Sequence, residues 1–279
     1  MPQYFLLPIL PHTMENYKHY FDTNKTTWNK RISVHLKSPF YNVEAFKSGQ
    51  TSLNSYELDA LGDVTGKKLL HLQCHFGQDT LSWSRLGANC TGIDLSDQAI
   101  AKAQELAEEI NVSANFIACN LYDVNQYVTD LYDIVFTSYG VIGWLPNLTK
   151  WAQIIASRLK EGGVFYMVEF HPIVWMFDYL KNPPELAYGY EQKDVIYEEY
   201  SGTYADEDAT IVSKEYGWNH GLGSIVTALI SAGLQIEYLK EYSDSPYNVL
   251  PGLEKTETGM FAPKKSLYPL IFSIKATKP

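Results

Sequence analysis

Cysteine is scarce in this chain: Cys74, Cys90 and Cys119 are the only three in 279 residues. They have no metal-ligand spacing, and each sits at the end of a strand-like run, so they read as buried free thiols. That usage excludes a disulfide scaffold and predicts a reducing, cytoplasmic setting. Basic patches are also lacking. With a formal charge of −10 and no basic run longer than the pairs Lys67-Lys68 and Lys264-Lys265, a phosphate backbone would be repelled, and a nucleic-acid partner is not expected. No apolar run approaches the length of a membrane span, so no membrane partner is expected either. The opening MPQYFLLPILPH is apolar but broken by Pro8 and Pro11 and has no basic flank, which does not fit a signal peptide. Residues 1–13 read as a loose arm. Glycine is thin where a phosphate-cradling turn would need it most, since Gly77 stands alone in the first βα turn.

What is present is organised around Leu69 to Ser96. A short apolar run, Leu69 to Leu72, turns through Gln73-Cys74-His75-Phe76-Gly77 into a helical pattern with Leu81 and Leu86 inward, stopped at Gly87. A second apolar run, Cys90 to Ile93, ends in Asp94. Strand, tight turn, helix, strand and acid make half of a doubly wound nucleotide-binding fold. Gly77 would let backbone approach a ligand at the helix entry. Asp94, about 20 residues beyond the turn, stands where such folds place a carboxylate on ribose hydroxyls; its bland alternative is a turn residue opening the next helix.

The alternation continues at a regular pitch. Asn16 to Leu36 carries Tyr20, Trp28, Ile32 and Leu36 at helical spacing, and Ser55 to Leu61 is a short helix. Ser96 caps a helix with Ile100, Ala103, Ala107 and Ile110 inward. Phe116 to Ala118 and Asp133 to Thr137 are the third and fourth strands. Asn147 opens a helix stopped by Gly162-Gly163, and Val164 to Val168 is the fifth strand. Such a pattern predicts a parallel sheet with right-handed crossovers and helices on both faces. Residues 173–218 break the rhythm with ten aromatics and ten acids against three lysines. Within them, Val195 to Tyr204 and Thr210 to Tyr216 read as a hairpin around Asp206-Glu207-Asp208. Leu222 to Ala232 is a helix, and Ile236 to Tyr242 and Leu270 to Lys275 are the final strands.

A ligand in an open parallel sheet lies outside the carboxyl ends of the strands, where strand order reverses. That rule gathers Gln73 to Gly77, Asp94, Asn120-Leu121, Ser138 to Gly140 and Glu169 to His171. Asn120 is suited to an adenine amino group, with the Leu121 N–H on a ring nitrogen; otherwise it is an ordinary loop asparagine.

These residues resemble the class I S-adenosylmethionine-dependent methyltransferases, over Lys67 to Val168 at least and again in the terminal pair of strands. In that family the first loop usually reads acid-x-Gly-x-Gly-x-Gly. The corresponding positions here are His71, Gln73, His75 and Gly77, so the acid and two glycines are replaced. The resemblance implies a Rossmann-like, mostly parallel seven-stranded sheet with an antiparallel last strand, and S-adenosylmethionine as cofactor. The fuller pattern, HLQCHFGxDTL with SPFYNVEAF before it and YGWNHGLG after it, looks like a bacterial small-molecule branch. There an N-terminal cap folds over the cofactor, which makes Trp28, Arg31 and Tyr41 candidate cover residues or, alternatively, residues that only pack the cap onto the sheet. By the same resemblance, residues 1–64 are arm and helical cap, 65–279 the methyltransferase domain, and 173–218 an inserted β-hairpin lid. Gln73, His75, Gly77, Asp94, Leu95, Asn120, Leu121 and Tyr139 then become candidate cofactor contacts.

Two rivals differ in class. An NAD-dependent dehydrogenase would need three glycines in the first turn, and a binding-only nucleotide sensor would keep the fold without a shaped substrate pocket. Methylation of bases is disfavoured by charge and by Ser138-Tyr139-Gly140 after the fourth strand; Asn182-Pro183-Pro184-Glu185 only mimics the turn of that group. Methyl transfer to a protonated nucleophile calls for a base near neutral pH, and His171 and His220 are the candidates, with Glu169 to orient His171 or hold a substrate amine. Each histidine has a structural alternative, a hydrogen bond to a loop carbonyl. The expected partner is a small-molecule acceptor; the lid aromatics roof its site or form a homodimer face.

Overall fold

The computed structural model describes residues 17–179, 181 and 183–279; the arm at 1–13 and Asn182 fall outside them. The chain runs α1 (Lys18–His35), α2 (Val43–Lys47), α3 (Ser55–Leu61), β1 (Lys68–Leu72), α4 (Gln78–Arg85), β2 (Asn89–Asp94), α5 (Asp97–Glu109) and β3 (Asn115–Ala118). It continues through α6 (Val124–Tyr127), β4 (Tyr132–Thr137), α7 (Leu148–Arg158) and β5 (Leu159–Phe170). Two short strands follow, β6 (Phe177–Asp178) and β7 (Glu185–Leu186), and then the hairpin β8 (Gln192–Ser201) and β9 (Val212–Asn219). The last elements are α8 (Leu222–Ser231), β10 (Gln235–Tyr242), β11 (Glu254–Lys255), β12 (Phe261–Ala262) and β13 (Ile271–Thr277).

Seven strands form the central sheet in the order β10-β13-β5-β4-β1-β2-β3. Strands β1 to β5 pair in parallel, and β13 runs antiparallel to both β5 and β10. Strand order reverses between β1 and β4, so their carboxyl ends open on the crevice where a ligand belongs. The strands are continuous apolar runs because both faces are covered. Leu69, Leu70 and Leu72 of β1 are wholly buried, as are Val135 and Phe136 of β4. Helix α5 buries Ala99, Ile100, Ala103, Leu106 and Ala107 as one stripe, opened by Ser96, whose side chain accepts the Ala99 N–H at 3.0 Å. Asn147 opens α7 in the same way on Lys150.

Two local expectations fail. Leu86 is 46 % exposed because α4 ends one residue earlier, and Trp83 takes the inward position beside Leu81. Helix α7 stops at Arg158 rather than at the glycine pair, and the wholly buried Leu159 already belongs to β5. Gly162-Gly163 instead lies within the irregular start of that strand, where a Cβ on Gly163 would sit 2.9 Å from the Lys160 carbonyl.

The lid hairpin β8–β9 is a separate two-stranded sheet whose β9 packs on α1. One face of α1 does what a neighbouring strand would do. The Asn24 amide takes the Tyr216 N–H and donates to the Tyr216 carbonyl, both at 2.8 Å. The Thr27 hydroxyl does the same for Lys214, at 3.2 and 2.6 Å. One turn further, the buried Arg31 guanidinium pairs with Glu215 and donates to the Tyr200 hydroxyl at 2.6 Å. Side chains three and four apart share a helix face, and here they satisfy an edge that would otherwise be open.

Candidate active site

The first loop carries its geometry in the backbone. Gln73 has φ +58°, His75 +52° and Gly77 +83°, so all three positions where the resembled family has glycine adopt the left-handed region. For a residue with a side chain that conformation costs roughly 1–2 kcal/mol, and such strain persists only where the surroundings hold it. They do so here. The Gln73 amide donates to the Val141 carbonyl at 3.0 Å, linking the loops after β1 and β4. The His75 N–H donates to Asp94 Oδ2 at 2.8 Å, and its ring stacks on Tyr41 with centroids 5.3 Å apart and planes 21° apart.

Gly77 also answers to packing. A Cβ there would lie 2.8 Å from the Phe116 ring and 2.9 Å from Ala103, so its missing side chain makes room for helix–strand packing.

Asp94 closes β2 and bridges two elements: Oδ2 accepts from His75 and Oδ1 accepts the Ser96 N–H, each at 2.8 Å. Each oxygen keeps a lone pair for a further donor. Burial pushes this carboxyl up to about 6, against the pull of the backbone N–H groups. Leu95, beside it, is half-buried. Asn120 behaves as the ordinary loop residue: its side-chain oxygen accepts the Tyr122 N–H at 3.0 Å and caps the 3-10 turn that starts with the buried Leu121.

The three cap candidates separate. Trp28 lies across the crevice, its ring 5.3 Å from both His75 and Trp144, which come from the loops after β1 and β4. Tyr41 stands beside it on His75, with its hydroxyl paired to that of Tyr204 in the lid. Arg31 is turned the other way. It joins α1 to Glu215, and the cofactor-cover role does not hold for it.

The expected catalytic trio is committed elsewhere. Glu169 is wholly buried and accepts four backbone N–H groups, from Gly140, Val141, Ile142 and Phe170. That fills both oxygens, so Glu169 shapes the loop after β4 and has no capacity left for a substrate amine or for His171; burial pushes it up to about 7. His171 accepts the Ile173 N–H on Nδ1 at 3.2 Å, which places its proton on Nε2, donated to Glu241 at 2.8 Å. His220 gives Nε2–H to the Leu145 carbonyl at 2.7 Å. Burial lowers both histidines. These are the loop-anchoring roles, and His171 has no free nitrogen to act as a base.

Several residues that sequence reasoning missed complete the crevice. Tyr204 from the lid tip keeps 49 % of its surface accessible while its ring packs against those of Trp28, His35 and Phe40. Tyr247, from the long loop after β10, is half-buried, and its ring packs 5.1 Å from that of Tyr139. His35 is wholly buried beside His75, with Nδ1 and Nε2 of the two rings 3.3 Å apart. Asp79, in the first turn of α4, accepts the Ser138 hydroxyl at 3.1 Å. Glu57, 1 % exposed, closes the capping box of α3 beneath the Tyr139 side chain. The capping box, Asn54-x-x-Glu57, was the one signal in the sequence that could have marked Glu57.

With strand order, strained loop and terminal carboxylate in place, comparison with known proteins bears on the central region. Residues 70–165 match the family model described as a methyltransferase domain. That stretch of the chain is similar to methyltransferases. An uncharacterised methyltransferase from Synechocystis sp. is 29% identical over 131 residues, 46% of this chain and 59% of that protein. A ubiquinone biosynthesis O-methyltransferase from Shewanella pealeana is 30% identical over 105 residues, 38% of this chain and 44% of that protein. The chain thus spans about half the length of the curated relatives it matches. Among solved structures, an S-adenosylmethionine-dependent methyltransferase from Clostridium acetobutylicum superposes with a TM-score of 0.57 at 13% identity, over 90% of this chain and 98% of that one; this shows the shared fold.

The residues of the methyltransferase rim fit S-adenosylmethionine. Asp94 offers acceptors of the kind a ribose diol requires, and the Gln73 Oε1 acceptor is sealed from water with no partner, which suits an amino-acid ammonium. Faces of Trp28, Tyr41 and Tyr204 stand nearby for a sulfonium, an arrangement worth roughly 0.5–2 kcal/mol per contact.

Proposed function

We propose that this protein transfers a methyl group from S-adenosylmethionine to a small-molecule acceptor. The observation that carries the reading is the Asp94 bridge between a glycine-poor first loop, held left-handed at all three key positions, and the N-terminus of α5. When bound, S-adenosylmethionine supplies an electrophilic methyl carbon. The chain's part is to hold and orient: Asp94 and Gln73 for the donor, Trp28 and Tyr41 above it, and the lid tip at Tyr204 excluding water. Positioning of this kind is worth on the order of several kcal/mol. Neither His171 nor Glu169 is placed to assist, and the chemistry rests on orientation of the acceptor instead.

A small acceptor is favoured by the roofed crevice and by the net charge of −10. The Shewanella relative's name specifies an oxygen acceptor, but the match covers 38% of this chain, so oxygen is one candidate atom among several. Parallel calorimetric titration with S-adenosylmethionine, S-adenosylhomocysteine and NAD tests the proposal. Saturable binding of the first two and not the third is expected; binding of NAD alone would overturn it. Turnover against a panel of amines, phenols, thiols and carboxylic acids then separates an enzyme from a sensor that only binds.

A further inference from the structure

His75 keeps an imidazole at a backbone position that suits glycine, with φ at +52°. Strain that the surroundings maintain points to a use for the side chain. Neighbouring rings fix its orientation: Tyr41 stacks on it, Trp28 stands 5.3 Å away and Phe76 4.4 Å away, centroid to centroid. A second imidazole backs it, with His35 Nδ1 lying 3.3 Å from His75 Nε2.

The protons of this pair can be counted. Burial, aided by the Arg31 charge, keeps both rings neutral, so two ring protons are shared among four nitrogens. One proton lies in the bond between the rings. The other is on an outer nitrogen, either His35 Nε2 or His75 Nδ1. These two differ in their surroundings. His35 is wholly buried, and its Nε2 is sealed from water with no partner. His75 is half-buried, and its Nδ1, also without a partner among the described residues, is not sealed. In protein interiors an orphaned N–H is rarer than an under-used acceptor. The bare nitrogen is therefore His35 Nε2. His35 then donates from Nδ1 to His75 Nε2, which leaves the free proton on His75 Nδ1, where water or a ligand can reach it.

This N–H belongs to the loop that already holds two groups suited to S-adenosylmethionine. The His75 backbone binds Asp94, and Gln73, with its unpartnered Oε1, is two residues before it. With ribose and ammonium met there, the molecule's remaining charged group at this end is its carboxylate. Arg31, the cation that acts on both rings, is committed to Glu215 and Tyr200. We propose that the His75 Nδ1–H binds the carboxylate of the methyl donor, and that His35 is the positioning residue that fixes this tautomer. The inference rests on the methyl-transfer reading above and adds a residue to its donor site. Where the resembled family has glycine, no side chain could serve in this way.

The test uses the full chain and compares S-adenosylhomocysteine with its decarboxylated analogue by calorimetric titration. Wild type is expected to bind S-adenosylhomocysteine roughly tenfold or more tightly, the worth of a hydrogen bond to a charged group. His75→Gly, which relieves the strain and removes the donor, should bring the two ligands within about threefold of each other. Its affinity for the decarboxylated analogue should stay within about threefold of wild type, which also reports a folded site. His75→Asn, whose amide nitrogen stands in for Nδ1 and whose backbone tolerates the left-handed region, should keep most of the preference. His35→Phe retains a ring without an N–H and should cut the preference at least threefold. Long-range proton–nitrogen NMR spectra of the free wild type should show His75 protonated on Nδ1, and those of His35→Phe a shift of that proton toward Nε2. Equal binding of the two ligands by wild type, a His75→Gly loss that falls equally on both, a bare His75 Nδ1, or a tautomer indifferent to His35→Phe would overturn the proposal. Failure of the wild type to bind S-adenosylhomocysteine would instead sink the methyl-transfer reading itself.

Discussion

Arg31 of the cap helix and Glu215 of the lid hairpin form an ion pair in which the arginine side chain is 1% accessible and the glutamate 14%. It is the buried clasp between two segments that lie on either side of the sheet in sequence. Removing one partner leaves the other charge stranded, which typically costs about 3–5 kcal/mol. Arg31→Ala is therefore expected to lose roughly that much in urea denaturation, and Arg31→Met with Glu215→Leu to recover most of it. An Arg31→Ala loss below about 1 kcal/mol would show that cap and lid are held by their hydrogen bonds alone.

Asp94 yields a prediction about affinity and its pH dependence. A hydrogen bond to a charged group contributes roughly 1.5–3 kcal/mol, so Asp94→Asn should weaken S-adenosylhomocysteine about 10- to 100-fold by calorimetry. Ribose hydroxyls prefer the carboxylate, and the carboxyl sits at about 6 in the free protein. Affinity in the wild type should therefore rise with pH through 6 and level off above 7, whereas the Asn variant stays flat. Identical pH profiles would remove Asp94 from the donor site.

The strained first loop can be probed by comparing His75→Gly with His75→Ala. Both lose the imidazole and its stacking on Tyr41, so their difference isolates the backbone. With φ at +52°, the glycine variant should be the more stable of the two by about 1 kcal/mol. Thermal melts that rank alanine equal or higher would mean that the loop relaxes once the ring is gone.

Glu57 predicts how stability responds to pH. Burial and the neighbouring Asp79 raise it to about 8, from an ordinary value of 4.5. A carboxyl raised on folding stabilises the native state below its unfolded value, and that contribution is lost as pH climbs through the folded one. Between pH 4.5 and 8 the wild type should lose roughly 2–4 kcal/mol relative to Glu57→Gln.

Much of the sheet could be read from the chain because its signals are local: apolar runs of strand length, helical stripes such as Ile100-Ala103-Ala107, and the capping residues Ser96 and Asn147. Asp94 was legible for the same reason, as a strand end at a fixed distance from a turn. The residues after β5 were not. A sequence places Glu169 and His171 at the right rim, but it does not say that four backbone N–H groups will draw Glu169 under the β4 loop or that Glu241 will hold His171. Glu57, Asp79, Tyr139 and Tyr247 come from four separate segments, so no local signal in the sequence groups them. Gly77 was legible as a glycine, but its packing constraint was not, since the atoms that crowd it belong to Phe116 and Ala103.

The pairing of Asn24 with Tyr216 and of Thr27 with Lys214 couples two stretches nearly two hundred positions apart. Neither can drift alone over evolutionary time, because a change in one helix face leaves a row of strand amides bare. Protein engineers who transplant the hairpin into a related scaffold to alter selectivity would have to move the first helix with it, as a single cassette.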